Sequence, residues 1–272
     1  MRCTQSFAFA LMLSMAGPAL AGPYLAHDDG IAADDPRVGG WASSVAGFTR
    51  GPQDITNPGG DLATFGEAAN ALGAADALAD FTKVVSLGDG GSITLGFDTP
   101  IVNLDGPDFA VFENAFFSDG SFGSIGTYAE LAHVEVSSNG SDFFRFPSDS
   151  LTQNTTQLGS FDVQDATDLN NLAGKHVTGI GTPFDVAELV GVSPLLDVNA
   201  ITQVRLIDVI GTIDPAFGSR DSLGNLINDP YPTASGGSGF DLDAVAVLRA
   251  VPEPAACLLL ALAVAPLATR VR

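Results

Sequence analysis

The chain has 272 residues, with 32 Asp and Glu against 11 Lys and Arg, a formal net charge of −21 and 46% hydrophobic residues. Such acidity disfavours nucleic acid and anionic lipid surfaces as partners, and suits solubility outside the cell or calcium. Cys3 and Cys257 both lie in the end segments, so no disulfide can staple the middle, which must be held by packing.

A charge at Arg2 opens the chain, followed by an apolar run from Phe7 to Met15, Gly17-Pro18 and the small-x-small triplet Ala19-Leu20-Ala21. That order predicts a secretory signal helix over residues 1–21, cleaved after Ala21 with Ala19 completing the recognition triplet. The apolar run is too short to span a bilayer, and Gly17-Pro18 would interrupt a core helix where it needed to continue. Cys3 precedes the run, a poor position for a lipid-bearing cysteine.

Residues 22 to 60 are expected to be loop-rich, with turn signals at Asp28-Asp29-Gly30, Asp34-Asp35-Pro36 and Asn57-Pro58-Gly59-Gly60. Trp41, the single tryptophan, is expected to pack this entry segment onto the core. Residues 62–78 are Ala-rich and predicted partly helical, broken at Gly73. Strands then dominate. Ser92 to Phe97 follows the turn signal Asp89-Gly90-Gly91, and Asp108 to Asn114 is apolar on both faces, as in a central strand. From Leu131 to Ser138, Ala132, Val134 and Val136 share one face while His133 and Glu135 share the other. Asn139-Gly140 predicts a type I′ turn, with Asp142 to Phe146 as the return strand. Residues 169–175 and 185–190 read as short helical or irregular pieces. Residues 201–210 and 241–249 are two closing strands, separated by a long loop rich in Gly, Pro and Asp.

No internal repeat and no strong linker interrupt residues 22–250, so one domain is expected. Short strands joined by turns, aspartate far outnumbering glutamate, and 31 glycines with 16 prolines predict an all-β sandwich with long Asp/Gly-rich loops.

The last segment, 251–272, reads Val251-Pro252-Glu253-Pro254, an apolar stretch over 255–268, then Arg270 and Arg272. Fourteen helical residues rise about 21 Å, short of the roughly 30 Å hydrocarbon core, so this short hydrophobic helix is a weak permanent anchor. The basic end favours the cytoplasmic side and leaves the domain outside. The Pro-Glu-Pro triplet, short apolar helix and basic finish resemble the PEP-CTERM sorting signal. The resemblance implies exosortase-type sorting machinery as a partner, a membrane-associated precursor, and delivery to the cell surface or extracellular matrix. An ordinary C-terminal membrane tail is the alternative.

Val134-Glu135-Val136-Ser137-Ser138-Asn139-Gly140 followed by an aromatic strand is similar to a hairpin of galactose-binding-like jelly rolls, which include discoidin-type domains and carbohydrate-binding modules. Val204-Arg205-Leu206 and Gly239-Phe240-Asp241-Leu242-Asp243-Ala244-Val245 look like their closing strands. The resemblance spans roughly residues 86–248. It implies a jelly-roll fold and does not carry the ligand across. The long insertion between the last strands departs from the pattern.

Asp208, Asp214, Asp221, Asn225, Asn228 and Asp229 crowd the late loop, and Asp241 and Asp243 begin the last strand. Calcium takes six to eight hard oxygens, so Asp221, Asn225, Asp229, Asp241 and Asp243, with Glu113, form a candidate calcium set. The spacing does not match an EF-hand loop. Solvated turn aspartates account for the same pattern more simply, while jelly rolls of this kind often hold a structural calcium. Glu113, inside an apolar strand, could join Glu130 and Glu135 as paired carboxylates of the glycosidase kind. His27, His133 and His176 show no zinc spacing, no G-x-S-x-G elbow is present, and Gly236-Gly237-Ser238-Gly239 lacks the lysine of a phosphate loop. The phenylalanine clusters at 116–117 and 143–146 read as core rather than sugar-stacking rings.

These features lead to a non-catalytic extracellular module that binds exopolysaccharide or builds the matrix. A secreted enzyme acting on extracellular polysaccharide through Glu113, Glu130 and Asp243 is the alternative, and a ligand-free matrix protein a third.

Overall fold

The computed structural model describes residues 22–250 apart from 26, 27, 58 and 121–124. The expected signal segment with Ala19 and Ala21, the expected sorting tail with Pro252, Glu253, Pro254, Arg270 and Arg272, and His27 lie outside the described residues.

In chain order the strands are β1 (Ile31–Ala32), β2 (Val38–Trp41), β3 (Ser44–Thr49), β4 (Val85–Ser86), β5 (Ser92–Ile101), β6 (Phe109–Glu113), β7 (Phe116–Asp119) and β8 (Ile125–Tyr128), followed by β9 (Ala132–Ser137), β10 (Phe144–Arg145), β11 (Asp149–Ser150), β12 (Leu169–Asn170), β13 (Ile180–Phe184), β14 (Ile201–Asp208) and β15 (Asp241–Leu248). Helical structure among the described residues is confined to short 3-10 turns such as Ala68–Ala71 and Val186–Leu189. The protein is all-β, as its turn-rich composition predicts.

Two antiparallel sheets carry the fold. One runs β1-β13-β6-β15-β2, with β4 also paired to β15, and the other runs β10-β9-β14-β5-β3. Alternation along the strands builds the shared core: Phe109, Val111, Leu242 and Val245 from the first sheet meet Leu95, Val134, Val136, Val204 and Leu206 from the second. The central position of β6 explains its apolar composition on both faces. Phe109 and Val111 enter that shared core, while Ala110 and Phe112 pack behind it with Ile31, Ala244 and Ala246. Trp41 covers this second face, its ring 5.4 Å from Phe112.

Three expectations need correction. The segment expected to be loop-rich holds β1, β2 and β3, all of which join the sheets as edge strands. The Ala-rich stretch 62–78 forms only the single turn Ala68–Ala71. Gly66 and Gly73 adopt positive φ, and a Cβ on Gly66 would sit 1.9 Å from the Val84 carbonyl, so close chain packing displaces helix. The hairpin exists, with Phe144 opposite Val136, but its turn is not type I′. Only Gly140 of the predicted pair has positive φ. Asn139 instead accepts the Ser141 and Asp142 amides on its Oδ1, each at 2.9 Å, making a wider side-chain-capped loop.

Candidate functional site

One end of the first sheet gathers carboxylates. The register of β6 and β15 sets Leu242 opposite Glu113, which places Asp241 beside Asn114. Glu113 follows Phe109 and Val111 at the two-residue interval of the core-facing row, so a strand pattern that buries phenylalanine and valine also buries this acid. Ala129 and Leu131 anchor a neighbouring apolar cluster with Leu169, Leu172, Val209 and Ile227, holding Glu130 between them. The late loop brings Asp229 to the same place, where it accepts the Leu131 amide at 2.9 Å and the Gln164 amide at 2.8 Å.

The group is buried and unevenly satisfied. Glu113 Oε2 accepts the Ala115 amide at 2.5 Å, whereas Glu113 Oε1 and Glu130 Oε1 are buried without a hydrogen-bond partner. Asp241 accepts from Ser86 Oγ and, at 3.1 Å, from Asn114 Nδ2. Burial, then the neighbouring Asp241, lifts Glu113 well above the usual carboxylate range; burial, then Asp241 and Glu113, does the same for Glu130. Burial pushes Asp241 up to about 6 against the opposing pull of Ser86, Asn114 and Arg50. Arg50 directs its donors to the carbonyls of Phe65, Ser86 and Gly66 rather than to a carboxylate.

Glu130, Asp241 and Asn114 open onto a cleft of about 640 Å³. Aromatic rings line it: Phe116 stacks on Tyr128 at 4.9 Å and 17°, Phe161 tilts against Tyr128 at 6.3 Å, and Phe81 completes the set. Phe81 and Phe161 are 73% and 68% exposed, so they are offered to solvent rather than spent on the core. The core assignment therefore fails for Phe116 and Phe117, which are exposed on β7. It holds for Phe144 and Phe146.

Of the candidate calcium set, the fold gathers Glu113, Asp229 and Asp241 and leaves the others elsewhere. Asp221 is a turn residue whose oxygens accept the Leu223 and Asn225 amides and the Asn225 side chain, at 2.9, 2.8 and 3.1 Å. Asp243 accepts the Asp76 and Ala77 amides at 3.1 and 3.3 Å. The six-residue set is thus not one cage. No group of three or more His, Cys, Asp or Glu among the described residues is already drawn together to hold a metal ion.

Of the paired-carboxylate set, Glu113 and Glu130 meet and Glu135 does not. Glu135 is held by Arg145 at 2.9 Å and by Arg205 Nε at 2.7 Å, on the other sheet. His133 is buried on the same strand face, and burial lowers its pKa to about 4, which keeps it neutral. His176 lies 3.1 Å from Asp29.

Compared with protein-family models and with curated proteins, the chain matches none.

Proposed function

We propose that the chain is an exported cell-surface or extracellular-matrix protein whose domain, a jelly-roll-like sandwich, binds polysaccharide in the aromatic-lined acidic cleft. The signal peptide at 1–21 would carry it out. The tail at 251–272 would hold the precursor in the membrane until exosortase-type machinery processes it. The carrying observation is the pairing of exposed rings, Phe116, Phe161 and Phe81, and the half-buried Tyr128 with the carboxylates of Glu130 and Asp241 in one cleft. Rings pack on the apolar C–H faces of pyranoses, while carboxylate oxygens accept sugar hydroxyls. The acidity of the chain favours a neutral or cationic glycan over a polyanion.

A second reading is a secreted hydrolase of extracellular polysaccharide. It draws on Glu130, an acid held protonated by burial and by its neighbours at the edge of a cleft. Asp243, one of its three candidate acids, is committed to backbone amides, and Glu113 is not exposed to the cleft. Binding fits the arrangement better than catalysis.

Screening the exported protein on a glycan array tests both readings. Retention of an intact glycan supports binding. Release of reducing ends that disappears in Glu130→Gln supports hydrolysis. Neither retention nor release would leave the cleft without the proposed ligand.

A further inference from the structure

Four acids, Glu113, Glu130, Asp229 and Asp241, share one buried end of the sandwich. A buried like-charged cluster is costly unless its members are neutralised or meet a cation. Asp229 answers the cost with two donors on different oxygens, and Asp241 with Ser86 and Asn114. Glu113 and Glu130 do not. They are 1% and 5% exposed, and each keeps one oxygen buried with no partner. A native structure rarely leaves such atoms orphaned, and a missing ion is among the ordinary reasons.

We infer that Glu113, Glu130 and Asp241 are ligands of a calcium-class divalent cation seated beneath the cleft. The donors are hard oxygens, with no sulfur or imidazole among them, which selects calcium or magnesium over zinc. The flexible coordination of calcium accepts three carboxylates with water or ligand oxygens completing the shell. Magnesium, smaller and demanding octahedral geometry, suits a site of two buried glutamates and a half-buried aspartate less well. Glu130 and Asp241 line the cleft, so an ion can enter from solvent and keep an open side facing whatever the cleft holds. Asp221 stands in a separate turn, tied to the Ser150 and Asn225 amides and to the Asn225 side chain, and is excluded from the set. The inference stands apart from the glycan reading, because the ion is called for by the protein's own unpartnered oxygens.

The test is calcium titration of the full chain after chelation, with no glycan present. Saturable binding of one calcium per chain is expected, with a rise in the thermal midpoint of roughly 5–10 °C at a hundredfold excess over Kd. Glu130→Gln and Glu113→Gln should each weaken calcium by about tenfold or more, as loss of a charged ligand oxygen does. Asp221→Asn should leave the affinity unchanged. In EDTA both glutamine variants should melt no lower than wild type, since each replaces a crowded buried acid with a neutral amide of the same shape, and this separates ligand loss from misfolding. Terbium gives an arm that needs no ligand variant. Tyr128, on the cleft wall beside Glu130, should sensitise bound terbium. Calcium should displace that signal, and Tyr128→Phe should abolish it without changing calcium affinity. Absence of saturable calcium binding, or binding lost in Asp221→Asn and untouched in Glu130→Gln, overturns the inference. Calcium binding without any glycan retention would leave the inference standing and defeat the polysaccharide reading alone.

Discussion

Asn114 and Asp241 stand 127 residues apart in the chain, yet the Asn114 amide donates to Asp241 Oδ2 at 3.1 Å. The bond ties the exit of β6 to the start of β15 and orients a carboxylate that opens onto the cleft. Asn114→Ala should cost about 1–3 kcal/mol, the usual penalty for stripping a donor from a buried charged acceptor. Urea unfolding in chelator at pH 7 measures it, and an unchanged midpoint would mean that Asn114 does not support Asp241.

Stability should rise as the solution is acidified from neutrality. Burial pushes Asp89, Asp108 and Asp243 each up to about 6 from the ordinary 3.8. Between the two values the folded state holds protons that the unfolded chain releases, so the folded form gains as pH falls through that window. Below it the gain is complete. There Asp35 and Asp54, lowered by hydrogen bonds from Arg37 and Thr56, begin to lose what they contribute. Thermal midpoints in EDTA should therefore climb from pH 7.5 to pH 5, with a shallower slope in Asp108→Asn. A midpoint that falls steadily over that range would contradict the assignment of buried, upward-shifted acids.

The clamp around Glu135 should matter for folding and not for the cleft. Arg145 and Arg205 are 42% and 32% exposed and can rehydrate when their partner is lost. Arg205 also keeps its place over the Phe143 ring at 3.9 Å. Glu135→Gln should thus cost about 1–2 kcal/mol, below the 3–5 kcal/mol of a fully buried pair. Calcium titration should be the same in this variant as in wild type; a changed affinity would connect Glu135 to the site.

Gly174 has φ +96°, and a Cβ there would sit 2.0 Å from the Glu130 carbonyl oxygen. Gly174→Ala should both destabilise the fold by about 1–3 kcal/mol and displace Glu130, since backbone cannot yield as a side-chain tip can. Paired thermal and calcium measurements on this variant should fall together. Loss of stability with calcium affinity intact would show that Glu130 tolerates the shift.

The sheets were legible where a pattern persists over several residues. β6, β9, β14 and β15 show it, with Ala132, Val134 and Val136 alternating against His133 and Glu135. β2 was not legible, because four residues containing Gly39 and Gly40 carry no periodic signal and become a strand only through pairing with β15. Glu113 announced itself as a charge inside an apolar strand. Its meeting with Glu130, Asp229 and Asp241 did not, because the register of β6 on β15 and the return of a distant loop create it. Tyr128, Phe161 and Phe81 do not stand out in the sequence for a related reason. They are scattered singly, and only the closed fold turns them toward one cleft; an aromatic on a polar, turn-rich segment was the available sign.

The most direct measurement is the affinity of the exported protein for a glycan retained on the array, compared between wild type and Phe161→Ala. Phe161 is exposed, so its removal spares the fold and strips only the cleft wall. The affinity should drop about tenfold, the worth of one stacked ring, while the calcium isotherm and thermal midpoint stay put. Equal affinity in the two proteins would contradict the placement of the glycan in this cleft.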